Sequence, residues 1–274
     1  MAQISASDVS KLRKATGAGM MDCKKALQET EGDFDKAVEL IRKKGQAIAN
    51  KRADRETNEG AVLAKVNNGA TAGAVIALTC ETDFVAKNND FVALTQSVLD
   101  LALEKLPTST EELKELNLNG KKVSEVIVEQ IGVIGEKIEI SYYEKLEAGS
   151  VIPYIHPGNK LATIVGFNKT VEEQVGKDVA MQVAAMAPIA VDKDTVPADV
   201  IEKEKEIGRE QAAREGKPEK ILDKIAEGKV NKFLKESTLL NQEFIKESKK
   251  SVKAYLAEQD KELTVTEFKR FSIQ

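Results

Sequence analysis

The chain has no tryptophan, one histidine and two cysteines, and only 4% of its residues are aromatic. His156 stands alone, and Cys23 and Cys80 lie far apart with no C-x-x-C, so a metal centre built on His and Cys has no basis here. Two isolated cysteines read as free thiols in a reducing compartment, each a small buried apolar group. No apolar run approaches the ~20 residues needed to cross a bilayer, and no charged-then-apolar signal opens the chain. A soluble cytoplasmic protein without membrane contact is expected. With 41 Lys and Arg against 45 Asp and Glu, the net charge is −4. That balance argues against direct nucleic-acid binding through a broad basic face. No G-x-x-x-x-G-K-[ST], G-x-S-x-G or H-E-x-x-H occurs. No catalytic residue, cofactor or metal is therefore expected, and a binding or regulatory protein is favoured over an enzyme.

What is present is organisation. A length of 274 residues suggests about two domains. Residues 1–44 read as a three-helix unit. Ser5-Ala6-Ser7-Asp8 has capping-box-like spacing, and Val9 and Leu12 follow on one face. Gly17-Ala18-Gly19 breaks the first helix, while Met20, Cys23 and Leu27 continue at helical spacing. Gly32 stops the second helix and Asp33 can cap the third, where Phe34, Ala37, Val38 and Ile41 form an i, i+3, i+4, i+7 stripe. Met20 and Met21 point about 100° apart on a helix. Either both pack, or they form a contact patch that suits methionine's adaptable side chain. Lys24 and Lys25 read as solvated charges. Residues 45–58 turn polar and read as a partly helical linker, a solvated hinge.

A pattern of strand, turn, strand and helix then occurs twice. Ala61–Val66, the turn Asn67-Asn68-Gly69 and a run to Thr79 precede a helix from about Asp90. Ser150–Ile155, the turn His156-Pro157-Gly158-Asn159 and Leu161–Phe167 precede a helix opened by Thr170-Val171-Glu172-Glu173, which also has capping-box spacing. Two related α+β halves follow, residues 59–140 and 141–274, each with helices packed on an antiparallel sheet. The second half includes a charged helical hairpin over 197–236, its helices split by Gly216-Lys217-Pro218. Its thin seam is expected from Val200, Ile201 and Ile207 against Ile221, Leu222, Ile225 and Phe233. Residues 248–274 read as a final helix and strand. His156, alone in a Pro-Gly turn, reads as a surface or contact group.

The stretch Cys80-Glu81-Thr82-Asp83-Phe84-Val85-Ala86-Lys87-Asn88 lies where a β-like run gives way to a helical one. Loops at such junctions ride on a rigid scaffold and often carry function. Phe84 has two readings. It folds back to cap the core, or it is an exposed aromatic wedge that enters a partner's pocket. Asp83 can hold the loop by capping the helix after it or by bonding partner amides.

Thr16-Gly17-Ala18-Gly19-Met20-Met21-Asp22-Cys23-Lys24-Lys25-Ala26-Leu27 and Thr82-Asp83-Phe84-Val85-Ala86-Lys87-Asn88 closely resemble the two signature stretches of the bacterial translation elongation factor Ts family. The order of parts is similar from Met1 to about Phe271. The resemblance implies a guanine-nucleotide exchange factor for elongation factor Tu, with no covalent chemistry of its own. It implies that the N-terminal unit is ubiquitin-associated-like and docks on the partner's GTPase domain; Met20, Met21 and Lys24 are its candidate contacts. It implies that Thr82, Asp83, Phe84 and Val85 enter that domain, where the ring of Phe84 displaces the elements that hold Mg²⁺. It also implies that the second half, with His156, meets the partner's third domain. Longer members carry a further helix after the last strand, whereas this sequence reaches Ser272-Ile273-Gln274, so contacts of that helix are not carried over. Three rival classes remain: an adaptor binding a peptide or protein through the N-terminal helices, an enzyme with an unrecognised carboxylate site, and an RNA-binding module, which the acidic charge disfavours.

Overall fold

A computed structural model describes residues 4–273; residues 1–3 and 274, the outer limits of the first and last segments, lie outside the described residues. The chain begins with α1 (Ala6–Thr16), α2 (Met20–Glu29) and α3 (Phe34–Lys51). The capping box forms: Ser5 Oγ accepts the Asp8 N–H at 3.1 Å, and the Asp8 carboxylate accepts the Ser5 N–H at 3.3 Å. Asp33 caps α3 by accepting the Lys36 N–H. Val9, Leu12, Cys23, Leu27 and Ala37 close a small core of their own.

Next come β1 (Glu59–Val66), β2 (Ala72–Cys80), a one-turn α4 (Asp83–Ala86), α5 (Asn89–Lys105), α6 (Thr110–Glu115), the two-residue strands β3 (Asn117–Leu118) and β4 (Lys121–Lys122), α7 (Val123–Ile134) and β5 (Ile138–Glu147). The remainder is β6 (Ser150–Ile155), β7 (Leu161–Phe167), α8 (Glu173–Met186), α9 (Ala198–Arg214), α10 (Glu219–Ser237), β8 (Glu243–Phe244), β9 (Glu247–Ser251), α11 (Val252–Gln259) and β10 (Val265–Ser272). Two three-stranded antiparallel sheets result, in the orders β1-β2-β5 and β10-β7-β6. In both, a hairpin is followed by a helix, and a later strand joins the hairpin's second strand. The α+β character with antiparallel sheets expected from the sequence is present, and the same strand order recurs in the two sheets.

The sheets stack on each other. Along β1 and β2, Ala61, Leu63, Ala74, Ile76 and Leu78 face α5 and α7, while Val62, Ala64, Val75 and Ala77 face the second sheet. Along β7, Ala162 and Ile164 face the first sheet, and Val165 and Phe167 face α8 and α11. The layers run helix, sheet, sheet, helix. Strands buried on both faces read as continuous apolar runs, as these do.

Four expectations are corrected. The three-helix unit does not end at 44; of 45–58, partly helical as expected, residues 45–51 belong to α3 and only 52–58 leave the helix. α3 continues to Lys51, with Ile48 and Ala49 packed on the first core. A Cβ placed on Gly132 of α7 would lie 2.9 Å from the Gly45 Cα, so two glycines let α3 and α7 touch backbone to backbone. The halves do not divide at 140, because β5 pairs with β2 from Ile138 to Glu147. Thr170 does not cap α8; Glu172 occupies that position and makes no side-chain cap bond. In the charged pair α9–α10, Val200, Ile201 and Phe233 pack with Val230 and Leu234 as expected, and Leu222 is buried with Gly208, Ala212 and Ala226, but Ile207 and Ile221 are exposed. At Gly208 the helices run close, since a Cβ there would lie 3.3 Å from the Ala226 Cα.

Candidate functional site

The β2–β5 ladder ends at Cys80 opposite Ile138. Beyond that pair, side chains take over from the backbone. The Glu81 carboxylate accepts the Lys137 N–H at 2.7 Å, and Arg52, at the end of α3, reaches both its oxygens at 2.7 and 2.8 Å. The Glu136 carboxylate reciprocates. It accepts the N–H groups of Glu81 at 3.1 Å and Thr82 at 3.0 Å, and the Thr82 hydroxyl at 2.6 Å. Gly135, at φ +81°, ends α7 in the left-handed region, which turns the chain so that Glu136 faces the loop. The Thr82 carbonyl accepts the Ala86 N–H at 3.2 Å and the Cys80 thiol at 3.3 Å.

These contacts shape the local charge. Burial pushes the Cys80 thiol up to about 12, with the nearby Glu136 charge adding to the rise, so the group stays a neutral donor. Burial works to raise Glu81, but the Lys137 N–H and the Arg52 guanidinium outweigh it and hold the carboxyl below its ordinary value. Asp83 is lowered chiefly by its bond to Lys87, at 2.6 Å. Asp83 therefore braces its own turn, and the cap of α5 comes instead from Asn88, which accepts the Asp90 N–H.

On this base stands Phe84, 85% exposed and the most exposed large apolar side chain among the described residues. The reading in which it caps the core is overturned. Val85 packs against the first core and Ala86 is buried there, so the single helical turn that sends them inward sends Phe84 outward.

The other sequence candidates fall on two surfaces. Met20 and Met21 are 61% and 63% exposed, so neither packs in the three-helix core, where Cys23 and Leu27 point instead. With Lys24 they line a shallow groove beside Ile4, Val9 and Arg13. His156 is exposed in the β6–β7 turn, its Nδ1 at 3.1 Å from the Tyr154 hydroxyl. That turn is held to the start of β1, beside the Thr82–Val85 loop. The Asn159 carbonyl accepts the Val62 N–H at 2.7 Å, and Lys160 pairs at 2.8 Å with Glu59, the ladder partner of Cys80. The structure thus brings Thr82–Val85 and His156 to one end of the stacked sheets. Met20, Met21 and Lys24 stay on the three-helix unit, which connects to the loop through Arg52 and through Gly17, set against Val133 of α7.

Sequence reasoning missed Arg52, Glu81 and Glu136 as supports of the loop. Glu81 lay inside the singled-out stretch. Glu136 had only the Gly-Glu step between a helical pattern and a strand to mark it. Among the described residues no helix is long and apolar enough to cross a membrane, and no three His, Cys, Asp or Glu side chains are grouped to hold a metal ion.

The family model described as elongation factor TS matches residues 81–274. Curated proteins named elongation factor Ts align with nearly the whole chain. The one from Porphyromonas gingivalis is 51% identical over 271 residues, covering 98% of each chain. That from Amoebophilus asiaticus is 56% identical over 270 residues, covering 97% of this chain and 98% of its own. That from Christiangramia forsetii is 50% identical over 275 residues and covers both chains fully.

Proposed function

The chain belongs to the elongation factor Ts family of translation elongation factors, and from that premise we propose that it is the guanine-nucleotide exchange factor of elongation factor Tu. It acts in the cytoplasm, without a cofactor and without covalent chemistry. The observation that carries the proposal is Phe84, a bare aromatic ring on an anchored loop.

A GTPase grips GDP through phosphate-binding amides, a lysine and bound Mg²⁺. A partner that never touches the nucleotide releases it by binding better to the conformation in which that grip is broken. Phe84 supplies the difference, because its apolar area is covered only when the GTPase domain opens to admit it. Thr82–Val85 present the ring, and the displaced elements of the GTPase domain lose Mg²⁺ and then GDP, so that GTP can enter. Coupling of this kind is reciprocal: the complex weakens when GDP returns.

The three-helix unit, ubiquitin-associated-like in this reading, docks Met20, Met21 and Lys24 on the GTPase domain. The exposed methionine surface suits that contact. The second sheet carries His156 to the partner's third domain. The charged pair α9–α10 projects as an antiparallel hairpin. If the N-terminal groove alone made the contact, the protein would be an adaptor that binds without changing nucleotide kinetics.

Stopped-flow release of a fluorescent GDP from elongation factor Tu separates the two. Release should accelerate with added protein and saturate. Binding without acceleration would leave the adaptor and remove the exchange factor.

A further inference from the structure

We propose that Glu136 is a positioning residue for exchange, and that Thr82 serves it from inside the protein rather than touching the partner. The inference rests on the exchange reading above and deepens it. Three donors converge on one carboxylate: two consecutive backbone N–H groups and the Thr82 hydroxyl at 2.6 Å. Hydrogen bonds to an ionised acceptor are about twice as strong as neutral ones. Thr82 stands at the N-cap of α4, yet its hydroxyl makes no cap bond there, because it is turned to Glu136. The helix that displays Phe84 is a single turn of four residues. A helix that short has no stability of its own. Its orientation is therefore set at its root, where the regular ladder has already stopped.

Glu136 and Glu81 form a reciprocal clasp there. Each carboxylate accepts a backbone N–H from the other's segment: Glu136 from Glu81, and Glu81 from Lys137. The clasp continues the β2–β5 pairing after backbone bonds end at Cys80 and Ile138. Without it, Phe84 would have to be ordered as it enters the opening GTPase domain, and that step would bear the entropic cost. With it, the ring is already aimed.

The test uses the full-length protein as wild type, Glu136→Ala, Glu136→Gln, Thr82→Val and the double variant Glu136→Ala/Thr82→Val. Amide hydrogen exchange at Glu81 and Thr82 reports the clasp without the partner. Stimulated GDP release, measured as maximal rate and half-saturating concentration, reports its use. In Glu136→Ala the two amides should exchange at least about tenfold faster, the opening cost having fallen by ~1.4 kcal/mol or more, while the β2 amides keep their protection. The maximal rate should fall about 2- to 30-fold, the range expected when coupling loses 0.5–2 kcal/mol. Glu136→Gln keeps one acceptor oxygen and should recover part of the rate. Thr82→Val should add little to Glu136→Ala, since both break one contact.

A loosened loop with an unchanged maximal rate would overturn the proposal. So would amides that stay protected in Glu136→Ala, or losses that simply add in the double variant. If wild-type protein failed to speed release at all, the exchange reading would fall and the role of Glu136 with it, whereas a defect confined to the clasp variants would not touch that reading.

Discussion

Replacing Phe84 with alanine removes a ring that is 85% exposed in the free protein. A phenylalanine carries roughly 150–250 Å² to bury, so on the order of 130–210 Å² remains to be covered by a partner. At about 25 cal/mol per Å² that area is worth ~3–5 kcal/mol. Alanine retains a methyl group, and opening the partner offsets part of the gain, so ~2–4 kcal/mol is the expected loss, the usual range for a central anchor. Stimulated GDP release should then slow by roughly 30- to 1,000-fold. The variant's own stability should change by less than about 0.5 kcal/mol, as for other surface substitutions. Stopped-flow release and denaturant unfolding on the same preparation read both quantities. Release at the wild-type rate would refute the wedge. A loss of ~2 kcal/mol or more in stability would return the ring to the core and refute the geometry.

Cys80 should resist alkylation at pH 8 in the folded protein and react on unfolding, because burial holds its thiol neutral with a pKa of about 12; mass spectrometry after a timed pulse reads it. Gly132→Ala should cost about 1–3 kcal/mol and loosen α3 from the core, since its Cβ would sit 2.9 Å from the Gly45 Cα; thermal melting and limited proteolysis after Lys51 check this. The folded Glu81 carboxyl is held below its ordinary value, so its contribution is present above the unfolded pKa and is lost as pH falls through the folded one. Wild type should therefore outlast Glu81→Gln in melting at neutral pH, and the difference should vanish on acidification.

Much of the fold was legible in local pattern. Asp8 three residues after Ser5, Asp33 before a helical stripe, and Asn67-Asn68-Gly69 between two apolar runs each place an element end by short-range chemistry. The stacking of the sheets was not, because a run apolar on both faces does not say what covers either one. Gly45 stood only at the start of a polar stretch and is a contact point, a role that depends on Gly132 in a distant helix. Phe84 stood out by position, yet its exposure depends on Val85 and Ala86 taking the inward places of a single turn. Glu136 is one of 45 acidic residues, and its partner Thr82 lies 54 positions away, beyond the reach of any periodicity. Supports formed by side chains from separate elements appear only once the chain is folded.

On the proposed mechanism, Phe84 favours the nucleotide-free partner over the GDP-bound one. Titration calorimetry of this protein into both forms of elongation factor Tu, with Phe84→Ala in parallel, measures that difference directly. Wild type should bind the nucleotide-free form far more tightly, and the ratio of the two affinities should shrink roughly 30- to 1,000-fold in the variant. Equal affinity of the wild-type protein for both forms would refute that mechanism.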